Sequence, residues 1–187
     1  LSESELVFCN ISRIIPYKGH LFLIELFHEL SKFRKDIILE IIGDTLPEYE
    51  SYYHKLREKV SQYNLEKNIR FIGFKPNIRK YLEKSDFFIH CPINPDPLPT
   101  VIFEAIESET PVIFTNLGGA YEILDSGKNG LAIYHLSIKK SVESILEFMD
   151  NSFKQGKNIK KAKSFVEKNF QLSSFNNKLK ELISEIV

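Results

Sequence analysis

Six short runs rich in β-branched and aromatic residues recur along the chain, and an amphipathic or polar stretch separates each from the next. Residues 6–11, 36–42, 69–72, 86–90, 111–114 and 131–134 read as strands, too short and too branched for buried helices. After the first, Leu23, Leu26, Phe27 and Leu30 repeat at helical spacing, with Glu25, Glu29 and Lys32 outside them. A polar helix follows over 48–63, a short one near 77–84 and a brief one over 119–124. Another opens at Pro99, because proline fits the first helical position, where its missing N–H costs nothing. Beyond Ser137 the pattern is helical to the end. Strand and helix in alternation imply a doubly wound sheet of six parallel strands. No internal repeat or long linker interrupts it, so residues 1–187 read as one α/β domain with a tail helix over 172–187.

Composition narrows the function. Lys plus Arg and Asp plus Glu both number 25, a balance that argues against a nucleic-acid binder, which needs a basic excess to displace counterions from phosphates. It leaves room for a small anionic ligand held by one or two placed cations. No apolar run reaches the length of a membrane span, and the first residues lack a signal-peptide pattern. Cys9 and Cys91 stand at no metal-ligand spacing and read as buried thiols in a reducing compartment, which makes a cytoplasmic location the expectation. Leu1 to Glu5 lead straight into a strand, as a cut inside a longer chain would.

In an open parallel sheet, ligands bind beyond the carboxyl ends of the strands. After the first strand come Ser12, Arg13, Ile14, Ile15, Pro16, Tyr17, Lys18, Gly19 and His20. This is not the G-x-G-x-x-G of a dinucleotide-binding turn. It offers two cations five residues apart, able to neutralise a diphosphate or simply to stand solvated in a turn. After the fourth strand, Asp96 and Leu98 each precede a proline, so the loop stays extended until the helix starts. Thr100 and Val101 then present first-turn amides, a natural phosphate site at the positive end of the helix dipole. Glu104, one turn further in, suits a vicinal diol such as ribose, or an ordinary polar helix face. After the fifth strand, Gly118 and Gly119 either admit a ligand to the backbone or make a tight connection. The histidines show no cluster in sequence, and His90 reads as a wall residue at the ligand edge. Without H-x-E, H-E-x-x-H or C-x-x-C, no zinc site is expected.

Taken together, these loops resemble the C-terminal domain of family 4 glycosyltransferases of the GT-B fold, from about Leu6 to Phe170. Arg13 through Lys18 and Gly19 look like that family's G-R-x-x-x-x-K-G motif, with Ser12 in place of the first glycine. Gly43 with Asp44, Phe71 to Gly73, and Ser85 to Ile89 fit its strand ends; Asp96 to Glu104 fit its E-x7-E signature, with aspartate first. Pro111 to Ile113 and Leu117 to Glu122 complete the order.

The resemblance implies a Rossmann-like three-layer sandwich that holds the donor of a retaining hexosyl transfer, with a glycan or lipid-linked acceptor, in surface polysaccharide synthesis. Arg13 and Lys18 would bind the diphosphate of a UDP- or GDP-hexose and, with Asp96, form the catalytic set. Asp96 would contact the transferred sugar and Glu104 the ribose, while Gly73 and Phe74 would border the base. Leu98, Pro99, Thr100 and Val101 would wall the phosphates. No metal or other cofactor is implied. The acceptor would sit on an N-terminal domain absent from this chain, itself a candidate for peripheral membrane association at the inner face. A non-catalytic nucleotide-sugar-binding module is the alternative. A receiver-like domain is not, since Arg13 and Lys18 replace the acidic cluster it needs after its first strand.

Overall fold

The computed structural model describes residues 5–171 together with 173, 174 and 176. Six strands, β1 (Leu6–Ile11), β2 (Ile37–Ile42), β3 (Ile69–Gly73), β4 (Phe87–His90), β5 (Val112–Thr115) and β6 (Leu131–Ile133), form one sheet in the order β3-β2-β1-β4-β5-β6. Every neighbouring pair is parallel. The register runs from Leu6 opposite Ile37 to Ile11 opposite Ile42, with Phe8 opposite Phe87 at the centre. This is the expected α/β sandwich.

Successive side chains of a strand point to opposite faces, so helices on both sides demand strands apolar at nearly every position. Hence Phe8, Leu39, Phe87, Ile89 and Ile113 enter one core, and Cys9, Ile42, Phe88, Val112 and Phe114 the other. Helices α1 (His20–Leu30), α2 (Glu50–Gln62) and α6 (Ile138–Met149) cover the first face. Helices α3 (Arg79–Leu82), α4 (Thr100–Glu107), α5 (Gly119–Ile123) and α7 (Ser152–Asn169) cover the second. Phe8 anchors the first core: Phe27 meets it edge-on at 5.1 Å between ring centres, and Phe87 stacks on it at 4.9 Å.

Local structure departs from the sequence reading in three places. Helix α4 begins at Thr100, not Pro99, whose φ of −74° and ψ of 87° leave it as the extended N-cap. The region expected as one helix from 48 to 63 opens as a 3-10 turn, Pro47–Tyr49, before α2 takes over at Glu50. A second 3-10 turn, Pro16–Lys18, was not anticipated. Phe170 packs edge-on against Phe103 at 5.3 Å. Most of the tail helix expected over 172–187 lies outside the described residues. The strand order reverses between β1 and β4, so the loops leaving their carboxyl ends diverge and open a crevice there.

Candidate functional site

The first wall of the crevice follows β1. The 3-10 turn Pro16–Lys18 folds the chain back, and Gly19 ends it at a φ of 74°. A Cβ on Gly19 would lie 1.8 Å from the carbonyl oxygen of Cys91, so only glycine lets this turn press against the β4 loop. The Ile93 amide donates to the Tyr17 carbonyl at 3.0 Å and ties the same two loops. Lys18 is thereby aimed across the crevice, and its Nζ donates to Asp96 Oδ2 at 2.5 Å. Arg13 stays exposed and makes no ion pair among the described residues.

The second wall is the β4 loop, and the glycine pair after β5 holds it. The Gly119 amide donates to the Asp96 carbonyl at 2.8 Å, and a Cβ on Gly119 would lie 2.1 Å from the Pro97 oxygen. Gly118, at a φ of 67°, presses on the Asp96 backbone in the same way. These glycines receive a protein loop, which decides for the tight-packing reading over close approach of a ligand. Pro99 is buried behind the loop, and Ile102 closes the first turn of α4 by donating to the Pro99 carbonyl at 3.0 Å. The amides of Thr100 and Val101 precede that bond and have no partner within the helix.

Charge is concentrated on Asp96. The neighbouring His90 ring, and then the Lys18 ammonium that donates to it, hold its carboxyl well below the usual carboxylate range, so it is ionised at neutral pH. His90 Nε2 lies 3.5 Å from Asp96 Oδ2, too far for a formed hydrogen bond. Burial lowers the pKa of His90 and keeps it neutral. Deeper in, Asn10 donates to the Ile89 carbonyl at 2.8 Å, Ser12 Oγ meets Asn10 Oδ1 at 3.5 Å, and His20 Nε2 lies 3.2 Å from Ser12 Oγ. Ser12, in the first position of the motif the sequence resembles, is held by this chain of contacts.

A cavity of about 170 Å³ is lined by Arg13, Lys18, His90, Asp96, Leu98, Pro99, Thr100 and Val101. Beside it, sharing Ile11, Ser12 and Arg13, lies a mostly apolar hollow of about 300 Å³ that adds Gly43, Asp44 and the exposed ring of Phe74. Gly73 ends β3 at a φ of 75°, and its carbonyl accepts the Gly43 amide at 3.1 Å. Glu104 does not line the cavity. It stands exposed a turn along α4, in a separate hollow with Arg79, Phe103, Glu107 and Ser108. Sequence reasoning missed the part of His20 and Asn10, and gave His90 none beyond the wall. Among the described residues no group of three or more His, Cys, Asp or Glu side chains is placed to hold a metal ion. None of their helices is long and apolar enough to cross a membrane.

The profile of the family described as "Glycosyl transferases group 1" matches residues 1–169. An uncharacterized glycosyltransferase of Methanocaldococcus jannaschii is 32% identical over 123 residues, covering 65% of this chain and 29% of that protein. Anabaena Alr3699/HepE, solved in complex with UDP, superposes with a TM-score of 0.85 at 24% identity, over 97% of this chain and 49% of that one. The C-terminal domain of LpcC, a group 1 family glycosyl transferase of Francisella tularensis, superposes with a TM-score of 0.78 at 23% identity, over 90% of this chain and 88% of that one. The chain thus spans less than half of the first two proteins and nearly all of an isolated C-terminal domain.

Proposed function

Because the chain belongs to the glycosyl transferases group 1 family, we propose that it is the donor-binding half of a retaining glycosyltransferase. It receives a nucleoside-diphosphate hexose, UDP- or GDP-linked, whose hexosyl group passes to a glycan or lipid-linked acceptor in surface polysaccharide synthesis. The observation that carries this reading is the convergence of Lys18, Arg13 and the first-turn amides of α4 on one cavity at the switch point of the sheet. A diphosphate fits that set: a mobile cation, a forked guanidinium and a helix N-terminus. UDP held by a protein of the same fold supports it.

The chemistry follows from charge. As the glycosidic bond breaks, negative charge grows on the departing diphosphate, and donors held in place by the fold stabilise it. Lys18, Arg13 and the α4 amides supply that potential, so the reaction is metal-independent in this reading. Asp96 accepts from a hydroxyl of the transferred sugar, and Glu104, outside the cavity and a turn along α4, takes the ribose diol only where the nucleoside extends past the phosphate site. The base rests in the apolar hollow bordered by Phe74, which follows Gly73 at the end of β3. Lys18 is paired with Asp96, so the diphosphate must share or take over that cation.

The partner that completes the cleft is an N-terminal domain carrying the acceptor. Exposed apolar side chains support it. Tyr17, Phe74, Ile93, Leu98, Tyr134 and Leu136, the last 88% exposed, all stand on loops that leave the carboxyl ends of strands. A rim of this kind around a polar cavity marks a docking face. Peripheral contact with the cytoplasmic face of a membrane belongs, in this reading, to that domain.

Calorimetry with UDP and GDP tests the proposal. Lys18→Ala should weaken nucleoside-diphosphate binding by about 1–3 kcal/mol, the scale of a charge-assisted contact. The loss should shrink at high salt, because the site is open to screening. Absence of binding to either nucleotide, or an unchanged affinity in Lys18→Ala, would overturn the reading.

A further inference from the structure

His90 occupies an unusual position for a buried histidine. It closes β4 at 2% exposure, with its backbone in register with Phe114 of β5 and its ring nearly parallel to that of Phe88. Its Nε2 makes no hydrogen bond among the described residues, although it is shielded from water. Buried ring nitrogens are rarely left so, because the lost hydration goes uncompensated. The group nearest in charge is Asp96 Oδ2, 3.5 Å away and already accepting from Lys18. Asp96 Oδ1 accepts no hydrogen bond among the described residues, and both side chains line the same cavity.

A nitrogen lone pair aimed at a carboxylate would be repelled, so Nε2 must carry the proton. Desolvation lowers the basicity of the ring, which makes this the neutral Nε2–H tautomer at pH 7. We propose that His90 is a positioning residue for Asp96: its Nε2–H and the Lys18 ammonium hold Oδ2 between them and turn Oδ1 toward a hydroxyl of the donor's transferred sugar. This rests on the donor-binding reading and extends it to one residue outside the recognised motifs. A shift of a few tenths of an ångström, when the sugar closes the cavity, brings the 3.5 Å contact into hydrogen-bond range. It also gives the shorter aspartate a fixed direction, because its carboxylate plane is set by two donors on one oxygen.

Two measurements decide it. Long-range proton–nitrogen NMR on the free chain should find the His90 proton on Nε2 at pH 7; a proton on Nδ1 would overturn the proposal. Calorimetry should then compare UDP with a panel of UDP-hexoses on the wild type, His90→Gln and His90→Leu. UDP alone should bind all three within about twofold, whereas the gain in affinity from the attached sugar should fall about tenfold in His90→Leu. His90→Gln, which keeps an N–H at nearly the same reach, should recover most of that gain. An undiminished sugar gain in His90→Leu, or no sugar gain in the wild type, sinks the role of His90 and leaves nucleotide binding standing. If UDP fails to bind the wild type, the donor-binding reading falls and takes this one with it. Should His90→Leu not fold, the Gln variant and the tautomer still decide.

Discussion

Burial of His20 at the start of α1 pushes its pKa from 6.5 down to about 4, because desolvation of the ring outweighs the opposing influence of the Ile15 backbone and the nearby Lys18 charge adds to the drop. The unfolded chain therefore binds this proton more readily than the folded one. Stability from His20 is complete above about pH 6.5 and is lost as pH falls toward 4, a window above that of the carboxylates. Between pH 7 and pH 5 the loss should be about 2 kcal/mol, and His20→Gln should flatten that part of the profile. Urea denaturation at several pH values checks this, and an equal slope in the variant would count against it. Residues at this scale were legible in the sequence where the strand pattern pointed to them. Arg13, Lys18, Asp96 and Thr100 all follow a strand directly, and the structure gathers them on one cavity. His20 and His90 were not, since 70 positions separate them in the chain and only the β1–β4 pairing brings His90 to the Lys18 that His20 already follows by two positions.

Loops, more than strands or helices, hold the candidate site together. The Gly118–Gly119 step is the clearest case, because its lack of side chains lets α5 sit on the Asp96–Pro97 backbone. Gly119→Ala should force that loop away and cost about 1–3 kcal/mol, as overpacking does. It should also erase the sugar-dependent part of donor binding. Gly156, in α7, offers the opposite case: its added methyl would meet nothing within 4 Å. Gly156→Ala should stabilise by about 0.5–1 kcal/mol through helix propensity and leave ligands untouched. Thermal unfolding of both variants, with calorimetry, separates the two effects; the same sign in both would be a failure. Strand positions were readable to within a residue, because burial on both faces makes each strand a mostly apolar run, broken only by single residues such as Asn10, Glu40 and Arg70. Pro99 was misplaced by one position because sequence shows its suitability for a first turn but not the wall behind it.

Across the whole molecule, the proposed function gives this chain one wall of a cleft, and a prediction about activity follows from that reading. The 187-residue chain alone should bind nucleotide weakly, with its phosphates exposed to high dielectric, and should transfer no sugar. Incubation with UDP- and GDP-hexoses and glycan acceptors tests this, and any transfer by the purified chain would refute it. The class of fold was legible from alternation alone, but the order of its strands was not. Nothing in the local pattern says that β4 pairs with β1 and not with β3, since that choice depends on where α2 and α3 pack. It has a consequence for how the protein is made. Joining Phe8 to Leu39 closes a loop at an entropic cost of roughly 3 kcal/mol, and joining Phe8 to Phe87 costs roughly 4. A chain growing from the ribosome can therefore lay down β1, α1 and β2 early, while β1 keeps one edge open until β4 emerges. The two halves of the cavity are synthesised apart, Lys18 in the first and Asp96 in the second, and meet only when that edge is filled. Nucleotide capture by a nascent chain would thus report that the central seam of the sheet has closed.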